Sequence, residues 1–291
     1  MSAPPDPEPS VGLSVVAIMR NESLNLPGLI ANLRGWVDEL VLVDDGSDDD
    51  STEIARGAGE WVRVVHRRKD DREGFAGLRN SGLDVATGSW ILHMDCDERV
   101  SPELAQEIRE GIRDTELNGF RYRRANLFLH RPMRHGGWDR WNRPQIARRG
   151  AHRFEGNLHE RCVIDGGEDA IGQLVNPMLH LNDKSYLKRI AKSAQYVEME
   201  AKRIEAAGRP ITGLKLLARP VREFLKRYLL QRGFLDGVPG FIAASHSASA
   251  TFRAYAIVWD RQNRIDRARI EDDMRSRWAD FLSRKSPADE Q

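Results

Sequence analysis

Two aspartates separated by a single residue, Asp95 and Asp97, follow a short apolar run. Side chains two residues apart in an extended backbone point to the same side, so these carboxylates can share one cation. Carboxylate oxygens are the ligands that Mg²⁺ and Mn²⁺ prefer, and substrate phosphates often complete the coordination. The spacing therefore predicts a divalent metal site for a phosphate-bearing ligand, with a solvated turn as the alternative.

A second acidic pair, Asp44 and Asp45, follows another apolar run and precedes Gly46. A carboxylate that abuts a buried strand loses hydration unless a ligand or a hydrogen-bond donor binds it. The pair is therefore a candidate for binding the base or ribose of a nucleotide. The alternative is that both are turn residues, a frequent role of aspartate.

Arg79 is the prominent cation of a helix-like segment rich in small residues, 74–88. A guanidinium in this position can face a diphosphate. The composition leaves two interpretations open, a contact with a diphosphate and an ordinary exposed charge on the helix.

The elements that would position these side chains alternate along the chain. Short apolar runs are typical of buried strands, and the segments between them have helical spacing, as at Leu26, Leu29 and Leu33. This alternation predicts right-handed crossovers and a ligand crevice at the carboxyl ends of the strands. We therefore predict an α/β fold with a doubly wound, mostly parallel sheet and helices on both faces. The four apolar runs are Leu13 to Ile18, Leu40 to Val43, Trp61 to Val65 and Trp90 to Met94.

The chain beyond the fourth run is less regular. Ser101, Pro102 and Glu103 have the order of a helix start, and that helix is expected to reach about residue 114. Residues 118–181 predict an antiparallel or irregular region where an acceptor would bind. A long helix is predicted from Ser185 onward, followed by helices at about 212–232 and 241–262.

Length and composition limit the classes of protein that fit. A chain of 291 residues accommodates one large domain with a helical extension. Its net charge of +1 gives no indication of a nucleic-acid partner. The two cysteines, Cys96 and Cys162, lack the spacing of a zinc site and the density of a disulfide scaffold, which favours a cytoplasmic setting.

The chain is predicted to fall into four segments. Its proline-rich start lacks an apolar run, which predicts a disordered leader rather than a signal peptide. No apolar stretch approaches the roughly 20 residues that cross a bilayer. The predicted segments are a disordered leader at 1–11, an α/β domain at 12–182, a helical region at 183–283 and a disordered tail at 284–291.

The second C-terminal helix carries a stripe of cations. Lys215, Arg219, Arg222 and Lys226 follow one another at offsets of four, three and four, so they share one helical face. One interpretation is peripheral binding to an anionic membrane surface, such as the inner face of the cytoplasmic membrane, at about 1 kcal/mol per cation. The other is a helix packed on the core with a solvated charged face, and the sequence leaves both open.

Several motifs occur in the order in which glycosyltransferase family 2 carries them, and the chain resembles that family. The motifs are Asn21-Glu22, Asp44-Asp45-Gly46-Ser47, Arg79-Asn80, Ala86-Thr87-Gly88 and Asp95-Cys96-Asp97-Glu98. Within the family the chain is similar to bacterial lipopolysaccharide-core β-glucosyltransferases. That similarity rests on Ser89-Trp90, Glu98-Arg99, Leu158-His159-Glu160 and the segment 233–237. Cys96 departs from the alanine or other small residue of relatives, and residues 119–150 match weakly.

The resemblance implies a GT-A fold and a metal-dependent, inverting transfer. The donor would be a nucleotide-diphosphate sugar, a UDP-sugar above all, and the cofactor Mg²⁺ or Mn²⁺. The acceptor would be a saccharide or a lipid-linked molecule in the synthesis of a cell-surface glycan or lipopolysaccharide core.

The resemblance also implies roles for single residues. Glu160 would be the base that deprotonates the acceptor hydroxyl, with an ion pair to Arg153 or Arg161 as the structural alternative. His180 would assist at the metal or diphosphate, and its alternative is a structural role. The implied donor-binding residues are Asn21, Glu22, Asp44, Asp45, Arg79 and Asp95, and the implied metal ligands are Asp95, Asp97 and His180.

Three other classes of protein are alternatives to a glycosyltransferase. A dinucleotide-dependent oxidoreductase is a poor fit because residues 19–23 lack the glycine fingerprint. An aspartyl-phosphatase-like hydrolase normally carries its acid triplet on the first strand, not the fourth. A non-catalytic nucleotide-sugar binding protein with the same fold stays open as the main alternative.

Overall fold

A computed structural model describes residues 12–70, 72–156, 160–182 and 185–285 of the chain. Its N-terminal part alternates strands and helices, as the sequence predicts. The strands are β1 (Leu13–Met19), β2 (Glu39–Asp44), β3 (Val62–His66) and β4 (Trp90–Asp95), and the helices are α1 (Leu26–Leu33), α2 (Ser51–Gly57), α3 (Gly74–Val85) and α4 (Pro102–Gly111). The four strands are parallel and lie in the order β3-β2-β1-β4.

Successive side chains of β1 enter two different hydrophobic layers. Val15 and Ala17 pack in the layer that includes α1 and α4, whereas Val16 packs in the layer that includes α3. Helix α3 lies very close to the sheet, because a Cβ atom at Gly82 would come within 2.5 Å of Cγ1 of Val16. The small residues of α3 thus bring Arg79, one turn earlier, against the carboxyl ends of the strands.

Beyond β4 the sheet becomes mixed. The strand that follows β4 in the sheet, β8 (Asn142–Arg148), runs antiparallel to it. Most of the region predicted as antiparallel or irregular completes the same sheet through both parallel and antiparallel pairs, whereas His152–Glu155 and Arg161–Ile164 form a separate two-stranded antiparallel sheet. The remaining strands are β5 (Glu98–Arg99), β6 (Gly119–Phe128), β7 (Arg131–Met133), β9 (His152–Glu155), β10 (Arg161–Ile164), β11 (Ile171–Gln173) and β12 (Met178–His180). The main sheet has the order β3-β2-β1-β4-β8-β6-β12-β5, and β7 and β11 also pair with β6.

Three helices form a second, smaller packing unit with a hydrophobic core of its own. They are α5 (Tyr186–Ala206), α6 (Gly213–Leu225) and α7 (Gly237–Asn263), close to the predicted positions. A π-helical turn (Lys226–Leu230) and a 3₁₀ turn (Gly233–Asp236) join α6 to α7. The core of this unit consists of Val197, Ala201, Ile211, Ala254 and Val258.

A further helix, α8 (Arg267–Lys285), lies mostly within the predicted helical region 183–283 but was not predicted as a separate helix. Its described side chains, 267–283, are all exposed. The helical region thus continues two residues past its predicted end at 283. The predicted leader 1–11 and residues 286–291 of the predicted tail lie outside the described residues. Within the described ranges, no helix has both the length and the apolar character needed to cross a bilayer.

Candidate active site

The two predicted acidic pairs lie at one edge of the sheet. Asp44 is the last residue of β2 and Asp95 is the last residue of β4. Strand β1 runs between them, where Met19 pairs with Asp44 and Ile18 with Asp95. A ligand at this edge can therefore reach both pairs across the width of one strand.

Asp95 is held between two arginines. One carboxylate oxygen accepts a hydrogen bond from Nη2 of Arg79 at 2.8 Å, and the other accepts one from Nη2 of Arg124 at 2.8 Å. Burial by itself would raise the pKa of Asp95, but the two guanidiniums outweigh it and hold the pKa well below its usual range. Asp95 is thus a charged acceptor that fixes two cations at the edge of the sheet.

Glu98 supports this arrangement from below the surface. Its side chain is fully buried, and one carboxylate oxygen accepts a hydrogen bond from the backbone N–H of Asp95 at 2.8 Å. The other oxygen lies 2.5 Å from Nε of Arg124. Burial, reinforced by the charge of Asp95, raises the pKa of Glu98 to about 7. Asp95 therefore keeps the negative charge of the pair, and Glu98 is the carboxyl that takes up a proton near neutral pH.

Arg79 is buried, so its interpretation as an ordinary exposed helix charge is wrong. Besides Asp95, it contacts Glu160, with 3.6 Å between Nε and Oε1. Among the contacts of the described residues, Glu160 has no ion pair with Arg153 or Arg161, the two partners of its structural alternative; Arg153 pairs with Asp84 instead. Arg79 thus places the predicted base at the same edge as the predicted donor site.

Asp97 faces His180 from the turn that follows β4. Nε2 of His180 lies 3.4 Å from Oδ2 of Asp97, and its Nδ1 lies 2.7 Å from Oδ1 of Asn126. The amide of Asn126 is oriented by its own N–H group, which donates to the carbonyl of Trp138 at 2.7 Å. The Asn126 oxygen accepts a hydrogen bond from Nδ1–H of His180, which leaves the Nε2 atom that faces Asp97 available to a metal ion.

These two side chains form a donor set that suits a divalent cation. A carboxylate oxygen and a neutral imidazole nitrogen are both ligands of Mn²⁺, and phosphates and water can complete the coordination. The oxygens of Asp95 face the arginines instead, so its role as a metal ligand stays a prediction. In the part of the chain that the structure describes, no cluster of three or more His, Cys, Asp or Glu converges on one point.

Asp44 and Asp45 brace the loops after β2 and β3. One oxygen of Asp44 accepts from the backbone and the hydroxyl of Ser47 at 2.9 and 2.6 Å, and the other lies 3.1 Å from Nδ1 of His66. Burial would raise the pKa of Asp44, but these hydrogen bonds lower it overall. Asp45 accepts from the backbone N–H of Lys69 at 2.6 Å. Both make the contacts of turn residues, and a contact with a nucleoside stays a prediction.

Asn21 and Glu22 connect the loop after β1 to the loop after β2. Asn21 adopts a left-handed conformation with φ of 56°; its N–H donates to Oγ of Ser47, and its side-chain oxygen accepts from the N–H of Asp48. The backbone N–H of Glu22 donates to Oγ of Ser51 at 2.7 Å. These contacts shape the rim of the site, and donor binding by either side chain stays a prediction.

Strand β6 supplies two site residues that the sequence analysis did not single out, Arg124 and Asn126. They lie at alternate positions with the buried side chains of Tyr122 and Phe128, on the inner face of the strand. A period of two from 120 to 128 was the available signal. It was obscured because four further arginines occur from 121 to 134, which is typical of a surface.

The site combines paired carboxylates, buried arginines and a histidine at the carboxyl edge of an α/β sheet, which is characteristic of proteins that bind phosphate-bearing nucleotides. A family model described as "Glycosyl transferase family 2" matches residues 14–163, about half of the chain. The chain belongs to glycosyl transferase family 2, and it is a glycosyltransferase. The predicted family and the predicted fold class, a GT-A type α/β domain with a C-terminal helical region, are confirmed.

Relatives match the chain over most of its length. The "Lipopolysaccharide core biosynthesis glycosyltransferase LpsC" of Rhizobium meliloti is 27% identical over 273 residues, which is 91% of this chain and 98% of the relative. An "Uncharacterized glycosyltransferase" of Rickettsia felis is 24% identical and covers 82% of this chain and 87% of its own. Among solved structures, the mannosyltransferase PcManGT from Pyrobaculum calidifontis in complex with GDP-Man and Mn²⁺ has a TM-score of 0.44 at 16% identity, over 91% of this chain and 90% of that chain.

Proposed function

We propose that this protein is an inverting glycosyltransferase that moves a sugar from a UDP-sugar donor to a hydroxyl of a saccharide or lipid-linked acceptor. Membership of the family supports the class of reaction. The likeness to LpsC, which is named for lipopolysaccharide core biosynthesis, supports an acceptor in a cell-surface glycan.

The observation that carries the proposal is the grouping of opposite charges at the end of β4. Asp97 and His180 face each other there, and Asp95 holds Arg79 and Arg124 beside them. A nucleoside diphosphate needs cationic and metal partners of this kind, because its negative charge grows as the bond to the sugar breaks. The arginines are already oriented before the ligand arrives.

Asp97 and His180 are the residues that would hold the divalent metal, Mg²⁺ or Mn²⁺. Such an ion, when bound, binds the donor phosphates and stabilises the charge of the departing diphosphate. The chain contributes the positions of the groups: Asn126 orients His180, and Asp95 orients the two arginines. Fixed partners of this kind need not reorganise during the reaction.

Glu160 is the proposed base. It would take the proton of the acceptor hydroxyl as that oxygen bonds to the anomeric carbon, while the bond from that carbon to the diphosphate oxygen breaks on the opposite face. The side chain of Glu160 is 24% exposed and contacts Arg79, so it borders the donor site and remains open to an acceptor.

The site argues against the hydrolase alternative. An aspartyl nucleophile needs a free carboxylate oxygen, but each oxygen of Asp95 accepts a hydrogen bond from an arginine. A non-catalytic binding protein would share the donor site, so it differs from a transferase only in the role of Glu160.

Donor binding is tested by thermal melting with UDP-sugars, with and without Mn²⁺. A ligand that binds only the folded state raises the melting temperature, because at a hundredfold excess over Kd it adds about 2.7 kcal/mol to the free energy of unfolding. We expect UDP-glucose with Mn²⁺ to raise the melting temperature of the wild type. The Asp97→Asn variant should lose the part of that shift that depends on Mn²⁺. An equal shift in Asp97→Asn, or in the presence of a chelator, would contradict the metal role.

Catalysis is tested by Glu160→Gln, which keeps the size of the side chain and removes the base. We expect this variant to bind UDP-glucose with Mn²⁺ like the wild type and to lose transfer, by a factor of about 10²–10⁴. The measurement is the release of UDP on addition of saccharide acceptors. Undiminished release would refute the base, and absence of release by the wild type with every acceptor would favour the binding protein.

A further inference from the structure

Helix α6 exposes an apolar face instead of burying it. Leu214, Leu217, Val221 and Leu225 are 75%, 67%, 48% and 43% exposed. Their offsets of three and four place them on one side of the helix, and no residue of α6 is fully buried. Leu216 of α6 packs against the core of the helical unit, as the interpretation of a core-packed helix expects, but an apolar face of the helix lies in solvent in addition to the charged one.

The exposed apolar surface continues through the turns that join α6 to α7. In the described chain, these turns and the start of α7 leave six large apolar side chains at least 45% exposed, although Phe234 and Phe241 also contact the ring of Tyr228. Exposure of this extent in neighbouring positions marks a surface that binds a partner. The residues are Leu229, Leu230, Phe234, Leu235, Val238 and Phe241.

Cations flank this face. Residues 212–232 contain six basic side chains and one acidic side chain, Glu223. Glu223 pairs with Lys226 and Arg227, whereas Lys215, Arg219 and Arg222 have no carboxylate partner among the contacts of the described residues. At about 100° per residue, the stripe 215, 219, 222 and 226 lies roughly a third of a turn from the apolar face. The same helix therefore offers apolar side chains and uncompensated positive charge on adjacent faces.

We propose that α6 and the turns after it, residues 213–241, dock on an anionic lipid surface. The leucines would enter the apolar boundary of the bilayer while the cations bind phosphate-bearing headgroups, the arrangement of an interfacial amphipathic helix. The proposal rests on the proposed function in one respect, because a lipid-linked acceptor would be found at that surface.

A second copy of the chain fits this face less well. A twofold contact would place the same patch opposite itself and bring the two cationic stripes together. Like charges at an interface oppose association, whereas an anionic bilayer neutralises them. Charge complementarity thus favours the lipid surface.

Hydrogen bonds connect the proposed docking segment, residues 213–241, to the loop between β7 and β8, which also borders the active site. The N–H of Gly136 donates to the carbonyl of Gln231 at 2.8 Å, and Asp236 accepts from the N–H of His135 at 2.9 Å. The same loop supplies the Trp138 carbonyl that orients Asn126 beside His180. Hydrogen bonds through this loop therefore connect residues 213–241 to His180, one of the proposed metal ligands.

Helix α8 provides a matched control within the same chain. Ile270, Met274 and Trp278 also lie exposed on one side of a helix. However, residues 267–285 contain six basic and four acidic side chains, so α8 lacks the one-sided charge of α6. Removal of apolar side chains from α8 changes exposed hydrophobic area without touching the proposed surface.

Flotation of the full chain with vesicles of phosphatidylcholine, with and without phosphatidylglycerol, tests the proposal. We expect the wild type to float with the anionic vesicles only, and Leu214→Ser/Leu217→Ser/Val221→Ser to remain at the bottom. Ile270→Ser/Met274→Ser/Trp278→Ser should float like the wild type. Lys215→Ser/Arg222→Ser should weaken binding about fivefold for each cation removed.

Three outcomes would contradict docking of α6 on an anionic lipid surface. Equal flotation of the α6 triple variant and the wild type, or no flotation of the wild type, would overturn the proposal. A wild-type dimer that the α6 triple variant converts to a monomer would assign the face to a second copy. Unchanged melting temperatures establish that the variants fold.

Donor binding separates this proposal from the proposed function. The α6 variants should keep the melting shift with UDP-glucose and Mn²⁺, and Asp97→Asn should lose that shift but still float. If the wild type floats through α6 but shows no shift with any donor, the lipid surface stands and the proposed donor chemistry fails.

Discussion

Two aspartates of one motif end in different environments. Asp95 is the last residue of β4 and lies between two arginines, whereas Asp97 lies in the following turn and faces His180. The alternation that would direct both carboxylates to one cation holds only in extended backbone, and here the strand ends at Asp95. The motif predicted the edge of the sheet correctly, but its two members have different partners.

Asn126 is expected to act as a positioning residue for His180. Its oxygen accepts a hydrogen bond from Nδ1–H of His180, which leaves Nε2 of the histidine available to a metal ion. Removal of such a partner typically lowers metal affinity by a factor of about 10–100. We predict a loss of this size for Mn²⁺ binding in Asn126→Ala with UDP present, measured by the electron paramagnetic resonance signal of free Mn²⁺.

Asn142→Ala is the matched control for that prediction. Asn142 lies on the neighbouring strand β8 and bonds to Gln173, away from His180. It should bind Mn²⁺ like the wild type. If Asn126→Ala retains wild-type affinity, or if both variants lose it equally, the hydrogen bond to His180 has no specific role.

At the scale of elements, a pair of buried histidines joins β4 to β9. Nε2 of His93 lies 2.9 Å from Nε2 of His152, and Nδ1 of His152 lies 2.9 Å from the carbonyl of Arg148. A carbonyl can only accept, so His152 donates from Nδ1 and accepts at Nε2 from His93. Burial lowers the pKa of both histidines. Protonation of Nε2 in His152 would break the contact between the strands.

This pair predicts a loss of stability in mild acid. The folded pKa values lie below the ordinary value of 6.5, so the unfolded chain takes up protons first as the pH falls. The contribution is present above about pH 6.5 and is lost below it, at up to about 1.4 kcal/mol per pH unit for each histidine. The test is urea denaturation between pH 7.5 and pH 5, a range that brackets the ordinary histidine pKa of about 6.5. The free energy of unfolding should decline less steeply with falling pH in His152→Gln than in the wild type. Parallel curves would contradict the assignment.

The elements themselves were predictable to different degrees. Strands β1, β2 and β4 are largely apolar runs buried on both faces, a pattern that needs no knowledge of partners, whereas the edge strand β3 is mostly intermediate or exposed. Strand β6 was not recognised because its inward side chains include Arg124, whose burial depends on Asp95 and Glu98 from another part of the chain. Helix α8 was not predicted as a separate element because its composition is dominated by charge, which hides the helical spacing of its few apolar positions.

At the scale of the molecule, α8 is expected to be independent of the folded domain. Its described side chains are all exposed, so few contacts are lost if it is removed. A chain that ends at Asp266 should fold with a free energy of unfolding within about 0.5 kcal/mol of the full chain. Equilibrium urea denaturation is the measurement, and a substantially lower midpoint would show that α8 packs on the rest of the protein.

The sequence by itself determined the alternation of strands and helices, the family and the edge of the sheet where the chemistry lies. These follow from local patterns: apolar runs, helical spacing and polar residues just after strands. Only the tertiary structure decided that Arg79 and Arg124 share Asp95, that Asn126 orients His180, and that the leucines of α6 face solvent. Each of these depends on which distant segments meet, because the burial and charge of a side chain are set by its neighbours in space.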